Sequence, residues 1–182
     1  MLNKNLVFTI NGNVKDACWK DMIDLFELDS NIQEVIMLPR LTRQHVIPTE
    51  INKIKVKLAC QVLSQRVAAI LYFLASKNIE NQRSHDTTTL CWFFAKLFDS
   101  VNCNFHKVVD GKIYCNSVKN NSPHHQLWRE SIQVSESMYF INPVTKEKSI
   151  QPPTVKNWIR TLKGFQDVVK IMNDNGVNSL LL

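Results

Sequence analysis

Cys103, His106, Cys115, His124 and His125 come closest to a metal-binding set, and Cys103-x-x-His106 could supply two zinc ligands. Zinc modules need a second pair at fixed spacing, and neither a Cys-x-x-Cys nor a His-x(3–5)-His pair occurs. No metal is expected. The four glycines, Gly12, Gly111, Gly164 and Gly176, are dispersed, and none belongs to the Gly-x-x-x-x-Gly-Lys-Ser/Thr order that wraps phosphates. No Ser or Cys stands between glycines in a strand-turn-helix elbow, so there is no nucleophile signature. Two-metal phosphoryl transfer requires carboxylates that converge on ions about 4 Å apart. Asp21, Glu27 and Glu130 instead read as solvated positions. What the chain offers is cations. Arg40, Arg43 and His45 come just before a helix whose free N–H groups would suit a bound phosphate; a plain surface loop is the alternative.

The element that would position these groups runs from Pro48 to Lys77. Ile51, Ile54, Leu58, Val62, Val67, Ile70, Leu71 and Leu74 recur at three- and four-residue steps, one face of a long amphipathic helix. Thr49 stands where an N-cap belongs and Glu50 suits the positive end of the dipole. Lys53, Lys55 and Lys57 make its first half wet, and Val67 to Leu74 is apolar nearly all round.

The length of 182 residues and an apolar content of 45% suffice for a core of ordinary size in about one domain. A net charge of +6 suits a polyanionic partner, nucleic acid or nucleotide, or serves solubility alone. Five cysteines are an odd number and the apolar run Leu6 to Ile10 is too short for a signal peptide, which points to a reducing compartment, cytoplasmic or nuclear. Val67 to Ala75 is also shorter than the roughly 20 residues of a membrane span.

In chain order, residues 1 to 10 are expected to hold a short strand ending in a turn at Asn11-Gly12-Asn13. A first helix, 15–28, faces inward with Trp19, Met22, Ile23 and Phe26, and keeps Asp21 and Asp24 wet. An irregular connector jointed at Pro39 and Pro48 leads to the long helix, 49–77. Asp86 then caps a helix, 86–101, with Leu90, Phe94, Leu97, Phe98 and Val101 inward. Asp110-Gly111 has the residues of a hairpin turn. Ser122-Pro123 opens a helix, 122–139, that buries Leu127, Trp128 and Ile132 or Val134. After a linker, Thr154 caps a last helix, 154–175, with Trp158, Leu162, Phe165, Val169 and Met172 on one face and Gly176 as its stop. The fold class is mainly α.

The wording of the chain adds to its periodicity. WKDMIDLFELDS, LPRLTRQHVIPTEINKIKVKLACQVLSQRVAAIL, FFAKLFDSVN, NSPHHQLWRESI and WIRTLKGFQDVVKIMNDNGVNSLLL resemble, in order and spacing, the GTP-binding insertion domain of the P-element/THAP-type DNA transposases. The most specific parts are Lys55 to Ser64 and Leu97-Phe98-Asp99. In that family the domain interrupts an RNase H-like catalytic domain, and GTP serves assembly on DNA rather than acting as a fuel. The resemblance implies a helical insert, residues 1–176, with 177–182 as the start of the C-terminal RNase H-like segment.

Residue by residue, the resemblance carries guanine-nucleotide contacts onto Arg40, Val56, Ser64, Phe98 and Asp99. A cation can bond phosphate or base oxygens, an aromatic can stack on guanine, and a carboxylate can accept from a base edge or a ribose hydroxyl. GTP is the implied cofactor, with Mg only alongside the nucleotide. DNA and full-length transposase relatives are the implied partners, with no membrane, and the nucleus is the implied compartment. The family's catalytic carboxylates and its segment resembling R-L-N-Q-D-x-x-E are not among these residues, so a non-catalytic transposase remnant is expected. Two alternatives stand beside it: a nucleic-acid module contacting DNA through Lys53, Lys55, Lys57 and Arg66, and a helical protein-interaction domain without nucleotide binding.

Overall fold

The computed structural model describes residues 4–31, 36–51, 55–77, 84–102, 112–177 and 179–180. The fold is mainly α with one small antiparallel sheet. Strand β1 (Asn5–Ile10) turns into β2 (Asn13–Ala17) through Asn11 and Gly12, both at positive φ (50° and 75°). Asn-Gly is the pair that adopts this mirror-image turn most readily, and it sets the register Ile10↔Asn13. Lys15 and Asp16, expected in the first helix, are therefore strand residues.

Helix α1 (Trp19–Asn31) begins later and ends later than the spacing suggests. Asp21 is buried rather than wet, because it packs against α5 (Ser84–Asn102) and takes a hydrogen bond from the Thr87 hydroxyl. The connector contains one helical turn, α2 (Arg43–Val46). Thr49 and Glu50 lie in a turn, and the expected long helix is α3 (Val56–Val62) followed by α4 (Gln65–Ser76), broken at Leu63 and Ser64. The Ser64 hydroxyl competes for helix amides and caps α4 instead, accepting from the Val67 N–H at 3.3 Å. The 21-residue stretch Val56–Ser76 is long and apolar enough, by length and composition, to cross a membrane. Here Val62, Val67, Ala68, Leu71 and Leu74 are buried within the protein.

A short 3-10 turn (Ile113–Cys115) takes the place of the second arm of the hairpin expected at Asp110-Gly111, which itself lies outside the described residues. Helix α6 (His124–Ser137) follows, with Pro123 at its N-cap position and Ser122 turned toward His124 Nδ1 at 3.1 Å. The next segment, expected to be a linker, is a second hairpin: β3 (Tyr139–Ile141) and β4 (Lys148–Ser149). β3 pairs with β1, giving the sheet order β2-β1-β3-β4. Helix α7 (Pro153–Asp174) ends at Gly176, whose φ of 74° lets the Val177 N–H reach back to the Met172 carbonyl at 2.9 Å. Val118 and Leu180 then form an antiparallel bridge.

The described core divides into two clusters that share α5. Phe8, Leu97, Trp128, Ile132 and Leu162 join the sheet to α5, α6 and α7. Met22, Leu25, Leu38, Leu41, Val46, Leu71 and Cys91 join α1, the connector and α3–α4 to the other side of α5. The element between the two cores is thus α5 rather than the Pro48 to Lys77 stretch. Burial on two sides also explains why Cys91, Phe93 and Ala95 are buried along with the expected Leu97.

His124 belongs to the first core's edge rather than to a metal site. It is 1% exposed, its Nε2–H donates to the Tyr114 carbonyl at 2.9 Å, and its rings meet Tyr114 and Trp128 edge-on. Among the described residues no group of His, Cys, Asp and Glu could hold a metal ion, and Cys103 and His106 lie outside them. Cys18, Cys60 and Cys91 carry free thiols, whereas Cys115 is disulfide-bonded, against the expectation of thiols alone. Burial holds the His124 imidazole below its ordinary pKa, so the unfolded chain takes up this proton first on acidification. The stability contribution is full above about 6.5 and is lost as pH falls through the native value. Thermal melts from pH 7.5 to 5.5 should show a falling Tm, with a flatter slope in His124→Gln.

Candidate anion-binding site

Arg40 reaches the surface because the residues on either side of it are fixed. Asp29, 4% exposed at the end of α1, accepts the backbone N–H groups of Met37 and Leu38 at 2.7 and 3.1 Å. Leu38 and Leu41 are buried, and the Leu41 N–H returns to the Leu38 carbonyl at 2.9 Å. Pro39 occupies the second position of that turn, where its fixed φ belongs, and Arg40 is held outward at the third.

Facing this turn are one side of α3 and the first turn of α4. Together they enclose a cleft of about 480 Å³ lined by Arg40, Lys57, Cys60, Gln61, Ser64 and Arg66 over a floor of Leu38, Leu41 and Val67. Three cations line the cleft and no carboxylate does, among the described residues. Arg43, just outside it, is neutralised by Glu50 at 2.7 Å. Ser64 caps one amide of α4, and the N–H groups of Gln65 and Arg66 remain without partners inside the helix. Such a surface favours a ligand with several negative charges, since charge-assisted bonds are about twice as strong as neutral ones.

A second support comes from His45, which is buried at 7% exposure. Its Nδ1 accepts from the Thr42 N–H at 3.1 Å, which assigns the proton to Nε2 and lets Nε2–H donate to Gln61 Oε1 at 2.9 Å. The connector thereby orients a side chain of the cleft. Gln61 and Cys60 fall within the Lys55 to Ser64 stretch singled out in the sequence. Asp29 and His45 act here as positioning residues, and no sequence signal marks them for that role.

The remaining candidates lie elsewhere. Val56 is 65% exposed at the start of α3, Lys55 occupies the α3 N-cap position, neither lines the cleft, and Lys53 lies outside the described residues. Phe98 is half-buried, its ring 5.9 Å from that of Trp158 in an edge-to-face contact. Asp99 pairs with Lys112 at 3.6 Å. The fold therefore gathers Arg40 and Ser64 from one expected set with Lys57 and Arg66 from the other, and places Phe98 against α7 and Asp99 beside Lys112. Phe98 is neither fully core nor free, so Phe98→Ala should cost about 1 to 2 kcal/mol in a urea melt, below the 3 to 5 of a fully buried phenylalanine.

A family model described as TNP-like, GTP-binding insertion domain matches residues 1–110, from β1 through α5 and including every residue of the cleft. Among solved structures, the Drosophila P element transposase strand transfer complex matches with a TM-score of 0.73 at 16% identity. That match covers 96% of this chain and 38% of the transposase chain, and at such identity it is a likeness of fold. No curated protein sequence matches. With more than half of its length matched by the family model, the chain belongs to the family of transposase-like, GTP-binding insertion domains.

Proposed function

We propose that this chain binds a guanine nucleotide as the insertion domain of a P-element-like DNA transposase, supports assembly of that enzyme on DNA, and carries none of its catalytic carboxylates. The observation behind this reading is the cleft in which Arg40, Lys57 and Arg66 surround the capped first turn of α4. The three cations offset the charge of the polyphosphate, and Ser64 and Gln61 supply neutral hydrogen bonds. Phe98 and Asp99 do not line this cleft, and their contact with the nucleotide rests on the resemblance alone; Mg enters only with the nucleotide. Other transposase subunits and DNA are the partners, and the nucleus is the compartment.

Calorimetric titration of the chain with GTP, with ATP as control, tests the reading. Arg40→Ala should weaken GTP at least about tenfold, as removal of a charge-assisted bond does. Asp99→Ala should reduce the preference for GTP over ATP. Cys60 supplies a second readout, because its half-buried thiol lines the cleft and should be shielded from alkylation when ligand is bound. Equal GTP binding by wild type, Arg40→Ala and Lys57→Ala would remove the cleft from the proposal. Failure of the folded wild type to bind GTP would end it.

A further inference from the structure

The outer face of α7 is a charged surface that the cleft does not use. Between Pro153 and Gln166 the helix carries Lys156, Arg160 and Lys163 and no carboxylate, and the exposed Asp167 ends this cationic run one turn beyond Lys163. Steps of four and three residues put these cations on one side of the helix, and all three are exposed. Val155, Leu162 and Val169 are buried on the opposite side. Neither Lys156 nor Arg160 has an ion-pair partner among the described residues. Lys163 meets Glu136 at 3.3 Å in a pair that is more than half exposed on both sides, the kind worth little. Exposed Asn157 and Thr161 flank the stripe with neutral hydrogen-bonding groups.

Gly164 is the second observation. It lies inside the helix beside Arg160 and Lys163, where glycine is a weaker former than alanine. A Cβ added there would meet nothing within 4 Å, and the residue does not adopt a positive φ. Among the described residues no contact requires a glycine at this position. A partner that comes close to the helix backbone would.

We infer that this face of α7 docks the phosphate backbone of duplex DNA, with Lys156, Arg160 and Lys163 on successive phosphates and Gly164 allowing close approach. Seven residues of helix rise about 10 Å, the axial span of about three phosphates on one strand of a duplex. Three cations on phosphates fix position and carry no sequence information, so this contact is independent of sequence. The surface is distinct from the residues first expected to contact DNA, of which Lys57 and Arg66 line the cleft.

The test is fluorescence anisotropy of a labelled 20-bp duplex with the full chain between 50 and 300 mM salt. The triple variant Lys156→Gln, Arg160→Gln, Lys163→Gln should reduce the slope of log K against log[salt] by about 2.7, and weaken binding on the order of 10²-fold near 0.1 M salt. Lys57→Gln with Arg66→Gln should leave the slope unchanged. Gly164→Ala should melt at the same temperature or higher and still bind DNA several-fold more weakly, a combination that loss of folding cannot produce. An unchanged melt and an unchanged far-UV circular dichroism spectrum in the triple variant establish that it is folded. An unchanged slope in that variant, a slope lost instead in the Lys57 and Arg66 variant, or equal competition by double-stranded RNA overturns the assignment. Gly164→Ala binding as wild type overturns the close approach.

Discussion

Trp128→Ala should lower stability by about 4 to 5 kcal/mol, at the upper end of the cost of deleting a large core side chain. Against a typical domain stability of about 5 to 15 kcal/mol, that leaves a large unfolded fraction at 37 °C. Trp128 is wholly buried where α5, α6 and α7 meet. Its ring stacks on Phe165 at 5.7 Å and 27°, and the edges of His124 and His125 lie about 6 Å away. The indole N–H donates to Ser100 Oγ at 3.0 Å, and that hydroxyl donates in turn to the Leu97 carbonyl at 2.7 Å. Alanine removes the packing and the bond together, and leaves a cavity too enclosed to collapse. Trp128→Phe keeps the stack and loses only the bond and part of the volume, so it should cost about 1 to 2 kcal/mol. Urea melts of the three proteins measure both values. A loss below about 2 kcal/mol for Trp128→Ala would mean that the three helices do not converge on this ring.

The helices of the first core were legible because their apolar residues repeat at the helical period. Leu127, Trp128 and Ile132 on α6, and Leu162 and Val169 on α7, are buried as that spacing indicates. The first hairpin was half legible. Asn11-Gly12 marked the turn, but Lys15 to Ala17 read as helix because the pairing that makes β2 a strand comes from β1, not from local preference. β4 spans only two residues, too few for an alternation to be seen. Asp21 and Asp29 read as wet or terminal positions, and both are buried because their carboxylates accept hydrogen bonds from segments that spacing does not bring near. At the candidate site, Arg40 came both from its place before a helix and from the resemblance, Ser64 from the resemblance, and Lys57 and Arg66 from charge. That all four share one cleft follows from the break at Leu63 and Ser64, which a continuous helix from Thr49 to Lys77 would not contain.

Asp29→Ala should cost about 2 to 4 kcal/mol and, without removing any group that lines the cleft, weaken GTP at least about tenfold. The stability loss arises because the buried N–H of Leu38 and the half-buried N–H of Met37 lose a charged acceptor; each such bond is worth about 1.5 to 3 kcal/mol, and water reaching the half-buried amide offsets part of the sum. The affinity loss follows from position. These two amides anchor the turn that presents Arg40, and a guanidinium displaced by an ångström or two loses its bond to a phosphate. Electrostatics alone would give the opposite sign. Deleting a carboxylate near a cluster of cations should strengthen anion binding, so a weakened titration isolates the positioning role. Asp29→Asn retains one oxygen acceptor and should fall between the two proteins in both melts and titrations. Tighter GTP binding by Asp29→Ala, with the melt lowered as expected, would leave Asp29 a purely structural residue. The nucleotide would then depend on the cations of α3 and α4, not on the turn at Arg40.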